Sequence, residues 1–89
     1  MKEFYVSPVA KVYYHAELDA LFLEYLSAVK NDAMFIEINT AVLDAFKKLN
    51  TQKFVADIRR MGIISLASQQ WVLNTLLPGM LKHLKGKKL

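Results

Sequence analysis

The chain contains no cysteine, which excludes both a disulfide framework and any metal site built on thiolates. Its only glycines, Gly62, Gly79 and Gly86, are too scattered to form a loop that cradles phosphate. Its only histidines, His15 and His83, lie far apart in the sequence and have no carboxylates at ligand spacing. From these shortages we expect neither a bound metal nor a cofactor.

Signatures of catalysis and of membrane insertion are also lacking. The sequence has no Gly-x-Ser-x-Gly elbow and no set of serine, histidine and acidic residues for nucleophilic catalysis. The longest apolar stretch, residues 18–29, carries two acidic residues and is too short to cross a bilayer. The first residues do not have the pattern of a secretory leader, so we do not expect export. We therefore expect a cytoplasmic protein that is not an enzyme and does not insert into a membrane.

Apolar residues, by contrast, are abundant, at 54% of only 89 positions. They suffice for the core of a single packed domain, residues 1–89. Their share is nevertheless high, because a domain this small has a large surface relative to its volume. Some apolar area should therefore stay exposed in a monomer, which favours a homodimer or another protein partner. Much of the net charge of +4 comes from lysines at the end of the chain, so we do not expect a nucleic-acid partner.

The β-prone segments are short. The predicted strands are residues 4–6, 11–15 and 53–57, the last of them as a buried strand. Residues 20–26 are ambiguous, because their apolar spacing leans slightly towards a helix while their alternation also suits a strand covered on both faces. The sheet should therefore have three to four strands.

Two helices are predicted beside these strands. The first begins at Asn31 or Asp32 and runs to about Leu49. The second is capped by Ser65, and it should kink or break at Pro78, which cannot donate a backbone hydrogen bond. Together the elements predict an α+β fold, in which a small sheet carries two packed helices.

From Phe54 onward the chain has a distinctive order of features. A predicted strand ends in Asp57, a loop follows, and the next helix carries Trp71 and then Pro78; the letters read FVADIRRMGIIS, then QQW and LP. This order resembles small bacterial SpoIIAA-like proteins related to STAS domains. The resemblance implies that residues 20–26 form a strand, and that the chain is a regulatory domain that works by protein–protein contact.

Two departures from the resembled family shape our expectations. Its domains usually continue with another strand and helix, so either this chain is a C-terminally shortened member or a partner chain completes the sheet. An open sheet edge in a shortened member favours association. Some members carry a phosphorylated serine within Asp-Ser-Ser-Gly at the start of the helix that follows the strand. That motif is absent here, and Ser65 and Ser68 flank the equivalent position without matching it.

The residues around the end of the last strand are the candidate site. The candidate contacts for a partner or ligand are Asp57, Arg59, Arg60, Ser65 and Ser68. Such positions, at the carboxyl end of a strand, are where open α/β sheets tend to bind ligands. The alternative, which we favour, is a local ion pair that braces the loop. Trp71 and Pro78 are expected to be structural.

The leading hypothesis is therefore a non-enzymatic interaction domain, acting as a homodimer or on another protein. A second hypothesis is a small apolar, lipid-like ligand, held by an aromatic pocket. The residues that would line such a pocket are Tyr13, Tyr14, Phe22 and Tyr25.

Overall fold

The computed structural model describes residues 2–88 and the side chains of residues 2–84. Its elements are β1 (Lys2–Val6), β2 (Ala10–His15), β3 (Ala20–Tyr25), α1 (Asp32–Lys48), β4 (Lys53–Asp57), α2 (Leu66–Trp71), a π-helical segment (Val72–Leu76) and α3 (Leu77–Lys88). We call the last three together, residues 66–88, the C-terminal helix, because they follow one another without a break. The predicted α+β fold is confirmed, since a four-stranded mixed sheet packs against two helices. Within the described range no helix is both long and apolar enough to cross a membrane.

The strands lie in the order β1-β2-β3-β4 across the sheet. The first three pair in antiparallel fashion, whereas β4 runs parallel to β3. A parallel neighbour needs a long crossover, and α1 lies within that connection. The ladder of β1 is interrupted by a register shift between Glu3 and Tyr5, whereas the ladder between β3 and β4 is regular.

The ambiguous segment is strand β3, as the resemblance implies and against the helical spacing of its apolar residues. Leu21, Leu23 and Tyr25 are buried among the helices, whereas Phe22 and Glu24 are half-buried on the opposite face. Because β3 is an inner strand, both of its faces are partly covered and both carry apolar residues. Its sequence therefore lacks strict alternation, and some of its apolar residues fall at the spacing of a helix.

Helix α1 supplies the apolar stripe that covers the sheet. Asn31 is its N-cap, because its side-chain oxygen accepts a hydrogen bond of 2.8 Å from the N–H of Met34. The buried apolar residues of the helix are Phe35, Ile38, Val42, Ala45 and Phe46. Most of them share the core with Val12 of β2 and Leu21 of β3.

Of the kink or break predicted at Pro78, the break does not occur. The helix widens just before it into the π-helical segment, where the N–H of Leu77 donates to the carbonyl of Val72, five residues earlier. A proline lacks the N–H and crowds the preceding turn, and the wider turn accommodates both defects. Gly79 brings α3 close to α1, because an added Cβ would lie only 3.0 Å from both methyl carbons of Leu43.

Strand β4 is a strand, but the expectation that it is buried is wrong. On the helix-covered face Phe54 is half-buried and Ala56 is exposed, and on the open face Val55 is 44% exposed. The reason is its place in the sheet: β4 is the last strand of the order, and the helices pack mainly over the other three.

Candidate interaction surface at the outer strand

Asp57, the last residue of β4, forms an ion pair within its own loop. Arg59 donates from Nε to one carboxylate oxygen at 3.0 Å and from Nη2 to the other at 2.7 Å. The backbone N–H of Arg59 also donates to Asp57, at 3.2 Å. The Arg59 side chain is 86% exposed, so this pair has little net effect on stability. Arg60, the third predicted contact, is also exposed.

The ion pair makes the stability of the chain depend on pH. The side-chain and backbone hydrogen bonds from Arg59 lower the pKa of Asp57 from its usual 3.8 to about 2. A depressed carboxyl pKa stabilises the fold above the ordinary pKa, and that stabilisation disappears as the pH falls towards 2. Because the pair is exposed, the effect is small: in urea titrations we expect Asp57→Asn to unfold only slightly more easily than the unmodified chain at pH 7 and equally easily near pH 2. An equal difference at both pH values would contradict the pairing.

The loop that follows β4 is fastened to the segment that follows β3. The N–H of Val29 donates to the carbonyl of Met61 at 3.0 Å. Gly62 has a φ of +78°, a conformation that favours glycine, and a Cβ there would lie 3.3 Å from the Cβ of Ala28. The loop is therefore held in place next to the outer strand.

Ser65 and Ser68 form a separate cluster around Asp32. Their hydroxyls donate to the same Asp32 oxygen, at 2.5 Å and 2.7 Å, and these two bonds lower the pKa of that carboxyl. Ser65 is also the N-cap of α2, as predicted, because it accepts from the N–H of Ser68 at 3.0 Å. A phosphate on either serine would bring negative charge against the Asp32 carboxylate, which opposes the phosphoserine switch of the resembled family.

The structure thus divides the predicted site in two. The serines and Asp32 line a hollow of about 200 Å³ beside the start of α1. Asp57 and Arg59 line a different hollow, on the open face of the sheet. The two groups line different hollows, so a contact at these residues stays a prediction from the sequence.

A row of apolar side chains crosses the open face, and sequence reasoning did not find it. The rings of Tyr13 and Phe22 stack with centroids 5.4 Å apart and an interplanar angle of 8°, and Val55 lies beside Phe22 on β4. Burial, then the nearby carboxylates of Glu24 and Asp57, raise the pKa of Tyr13. The alternation within each strand, read in register, would have revealed this row.

The helix-covered side of β4 also has an apolar groove. It encloses about 220 Å³. Its wall residues come from both layers and include Tyr25, Phe35, Phe54, Ala56, Ile58 and Leu76. The groove lies where the helices stop short of the last strand, so its floor includes the exposed Ala56.

The four aromatic residues expected to line one ligand pocket are separated. Tyr13 and Phe22 lie on the open face, and Tyr25 lies in the groove on the other face. The hydroxyl of Tyr14 donates to Asp19 at 2.7 Å beside the β2–β3 turn. An aromatic pocket built from all four is therefore wrong for this fold.

Both histidines make local contacts with the fold. The ring of His83 meets Phe46 edge-on at 5.6 Å and lies within 3.3 Å of the carbonyl oxygen of Leu49. His15 accepts from the N–H of Leu18 at 3.4 Å. No group of three or more candidate metal ligands occurs among the described residues.

The open-face row and the groove both lie beside the outer edge of β4. In residues 2–88 no strand pairs with it, its ladder to β3 has no bulge, and apolar side chains flank it on both faces. We call the outer edge of Lys53–Asp57, with Val55 on one face and the groove on the other, the β4 surface. Open edges of this kind are templates for pairing with another chain.

Comparison of the chain with protein-family profiles, with curated proteins and with solved structures gave no significant match. The SpoIIAA-like relationship therefore stays a prediction from the sequence.

Proposed function

We propose that this chain is a non-enzymatic, cytoplasmic protein–protein interaction domain that works through the β4 surface, first of all as a homodimer. The observation that carries the proposal is an unpaired, regular edge strand with apolar side chains on both faces. The SpoIIAA-like resemblance supports a regulatory role.

The contrast between the two edges of the sheet supports the choice of β4. Strand β1 is also an edge, but its bulge between Glu3 and Tyr5 disrupts the regular ladder that a new strand needs. Strand β4 has no such protection in the described chain. Strand addition provides backbone hydrogen bonds for affinity, and flanking pockets such as the groove receive alternate side chains.

A small apolar ligand is the second candidate function, and the groove is the observation that favours it. Its volume of about 220 Å³ is small. Pockets for drug-sized ligands are larger, roughly 300–1,000 Å³. The groove fits a protein side chain better, so we place protein contact first. Native mass spectrometry of the purified protein distinguishes the two, because a lipid-like ligand would add mass to the chain.

Replacement of Val55 by lysine should weaken self-association about tenfold or more, because an edge strand that carries a central charge resists pairing. Val55 is 44% exposed, so the fold of the monomer should survive. Val6→Lys is the matched control, since Val6 is 59% exposed on the other edge strand, and it should leave association unchanged. Sedimentation equilibrium measures both variants.

Two results would contradict the proposal. One is an unmodified chain that remains a monomer up to about 1 mM, the concentration at which only very weak association is detected. The other is an equal loss of association in both variants, which would mean that the β4 surface has no special part.

A further inference from the structure

The sequence of β4 is complementary to itself when read in the opposite direction. The strand begins with Lys53, ends with Asp57 and has three apolar residues between them. Its register with β3 assigns the faces. Lys53, Val55 and Asp57 lie on the open face, opposite Ala20, Phe22 and Glu24 respectively, whereas Phe54 and Ala56 lie on the helix-covered face.

Symmetry restricts how two such strands can pair. A twofold axis perpendicular to the sheet keeps the open faces of both copies on the same side. Residues that lie opposite each other in antiparallel strands have side chains on the same face. The axis must therefore pass between one residue of β4 and the same residue of the second copy. A register centred on Phe54 places Lys53 opposite Val55, and one centred on Ala56 places Asp57 opposite Val55. Only a register centred on Val55 places Lys53 opposite Asp57, and it does so twice.

We propose that the partner at the β4 surface is a second copy of this chain, whose β4 pairs antiparallel in the register centred on Val55. This inference rests on the proposed function. It joins two four-stranded sheets into one continuous sheet, with the helices of both chains on the same side.

The charges on the open face favour this register. Asp57 lies next to Glu24 on β3, so two carboxylates are neighbours there, and Arg59 binds only one of them in the described contacts. The partner's Lys53 would add a cation beside this acidic pair. Lys53 itself is exposed, and its ammonium donates a long hydrogen bond of 3.4 Å to the carbonyl of Leu18.

The side-chain sizes on the helix-covered face favour the same register. Phe54 would lie opposite the partner's Ala56, which is exposed at the floor of the groove. Cross-strand neighbours have Cβ atoms about 4.5–5.5 Å apart, a distance at which a large ring fits well over a small residue. On the open face, Val55 would meet the partner's Val55 and extend the row of Tyr13 and Phe22.

Charge reversal in one chain and rescue by the other test the register. In the proposed register, Lys53→Glu places a negative charge opposite the partner's Asp57. Asp57→Lys places a positive charge opposite the partner's Lys53. Each variant alone should self-associate about tenfold more weakly than the unmodified chain, because the like-charge contact occurs twice. An equal mixture of the two should form a heterodimer, since both contacts then join opposite charges.

Native mass spectrometry with one chain isotope-labelled identifies the heterodimer, and sedimentation equilibrium gives its affinity. Lys2→Glu, which makes the same charge change on β1, is the matched control and should neither weaken the dimer nor associate preferentially with Asp57→Lys. Asp57→Lys also removes the ion pair with Arg59, so rescue in the mixture, not loss in the single variant, is the decisive result.

The outcomes separate the inference from the proposed function. If the unmodified chain dimerises and Val55→Lys prevents it, but the mixture shows no preferential heterodimer, the register is wrong and the interaction surface stands. If the unmodified chain is monomeric, both proposals are wrong.

Discussion

Replacement of Phe46 by alanine is expected to lower the free energy of unfolding by about 3–5 kcal/mol, the usual range for a fully buried phenylalanine. Phe46 is only 2% exposed and belongs to the core between α1 and the sheet. Its ring also meets the ring of His83 on the C-terminal helix, so its loss loosens the contact between the two helices. Urea titration followed by circular dichroism measures the change.

Trp71→Ala is the comparison for this variant. Trp71 is the tryptophan expected to be structural, and it is half-buried and packs against the core from outside. Its truncation removes less buried surface and should cost less than that of Phe46. A larger loss from Trp71→Ala than from Phe46→Ala would show that the C-terminal helix, not α1, contributes most to the stability of the core.

Thr51→Val is expected to cost about 1–3 kcal/mol, because it removes a hydroxyl that serves two backbone groups. The Thr51 side chain is 1% exposed, and its hydroxyl donates to the carbonyl of Asp19 in the β2–β3 turn. The same oxygen accepts from the N–H of Lys53 at 3.1 Å. Valine has almost the same shape, so the measured loss in a urea titration reports on the hydrogen bonds.

Thr40→Val is the matched control, since Thr40 is exposed on α1. It should change the free energy of unfolding by no more than about 0.5 kcal/mol. If Thr51→Val has as small an effect as this control, Thr51 does not anchor the start of β4. Because Thr51 lies two residues before the outer strand and binds the N–H of its first residue, its loss should also impair association at the β4 surface.

The candidate site shows which of its features the sequence could predict. The residues Asp57 and Arg59 were identified, and the structure gives them the local ion pair that we favoured as the alternative. Ser65 was identified as a helix cap, and it is one. The hydrogen bonds of Ser65 and Ser68 to Asp32 could not be predicted, because more than thirty residues separate them along the chain.

The open-face row and the groove were missed for a similar reason. Tyr13, Phe22 and Val55 become neighbours only through the register of three strands, and register depends on pairing between distant segments. Read along the chain, the apolar run of β4 is typical of a buried strand. Whether such a strand is inner or outer is decided by what lies beside it in the sheet.

By itself the sequence determined the order of the elements other than β3, a helix start at Asn31 or Asp32, the cap at Ser65, and the absence of any thiolate chemistry, because these depend on composition or on residues within a few positions of one another. The tertiary structure decided between helix and strand for residues 20–25, where the apolar spacing and the resemblance disagreed, and it showed that the helix continues past Pro78 and that β4 is exposed. The first and the last of these depend on the neighbours of each strand in the sheet, which are far away in the chain, whereas the helix continues past Pro78 because of the wider π-helical turn before it. The absence of cysteine therefore excluded disulfides and thiolate sites, and the open sheet edge is the feature on which the proposed partner site depends.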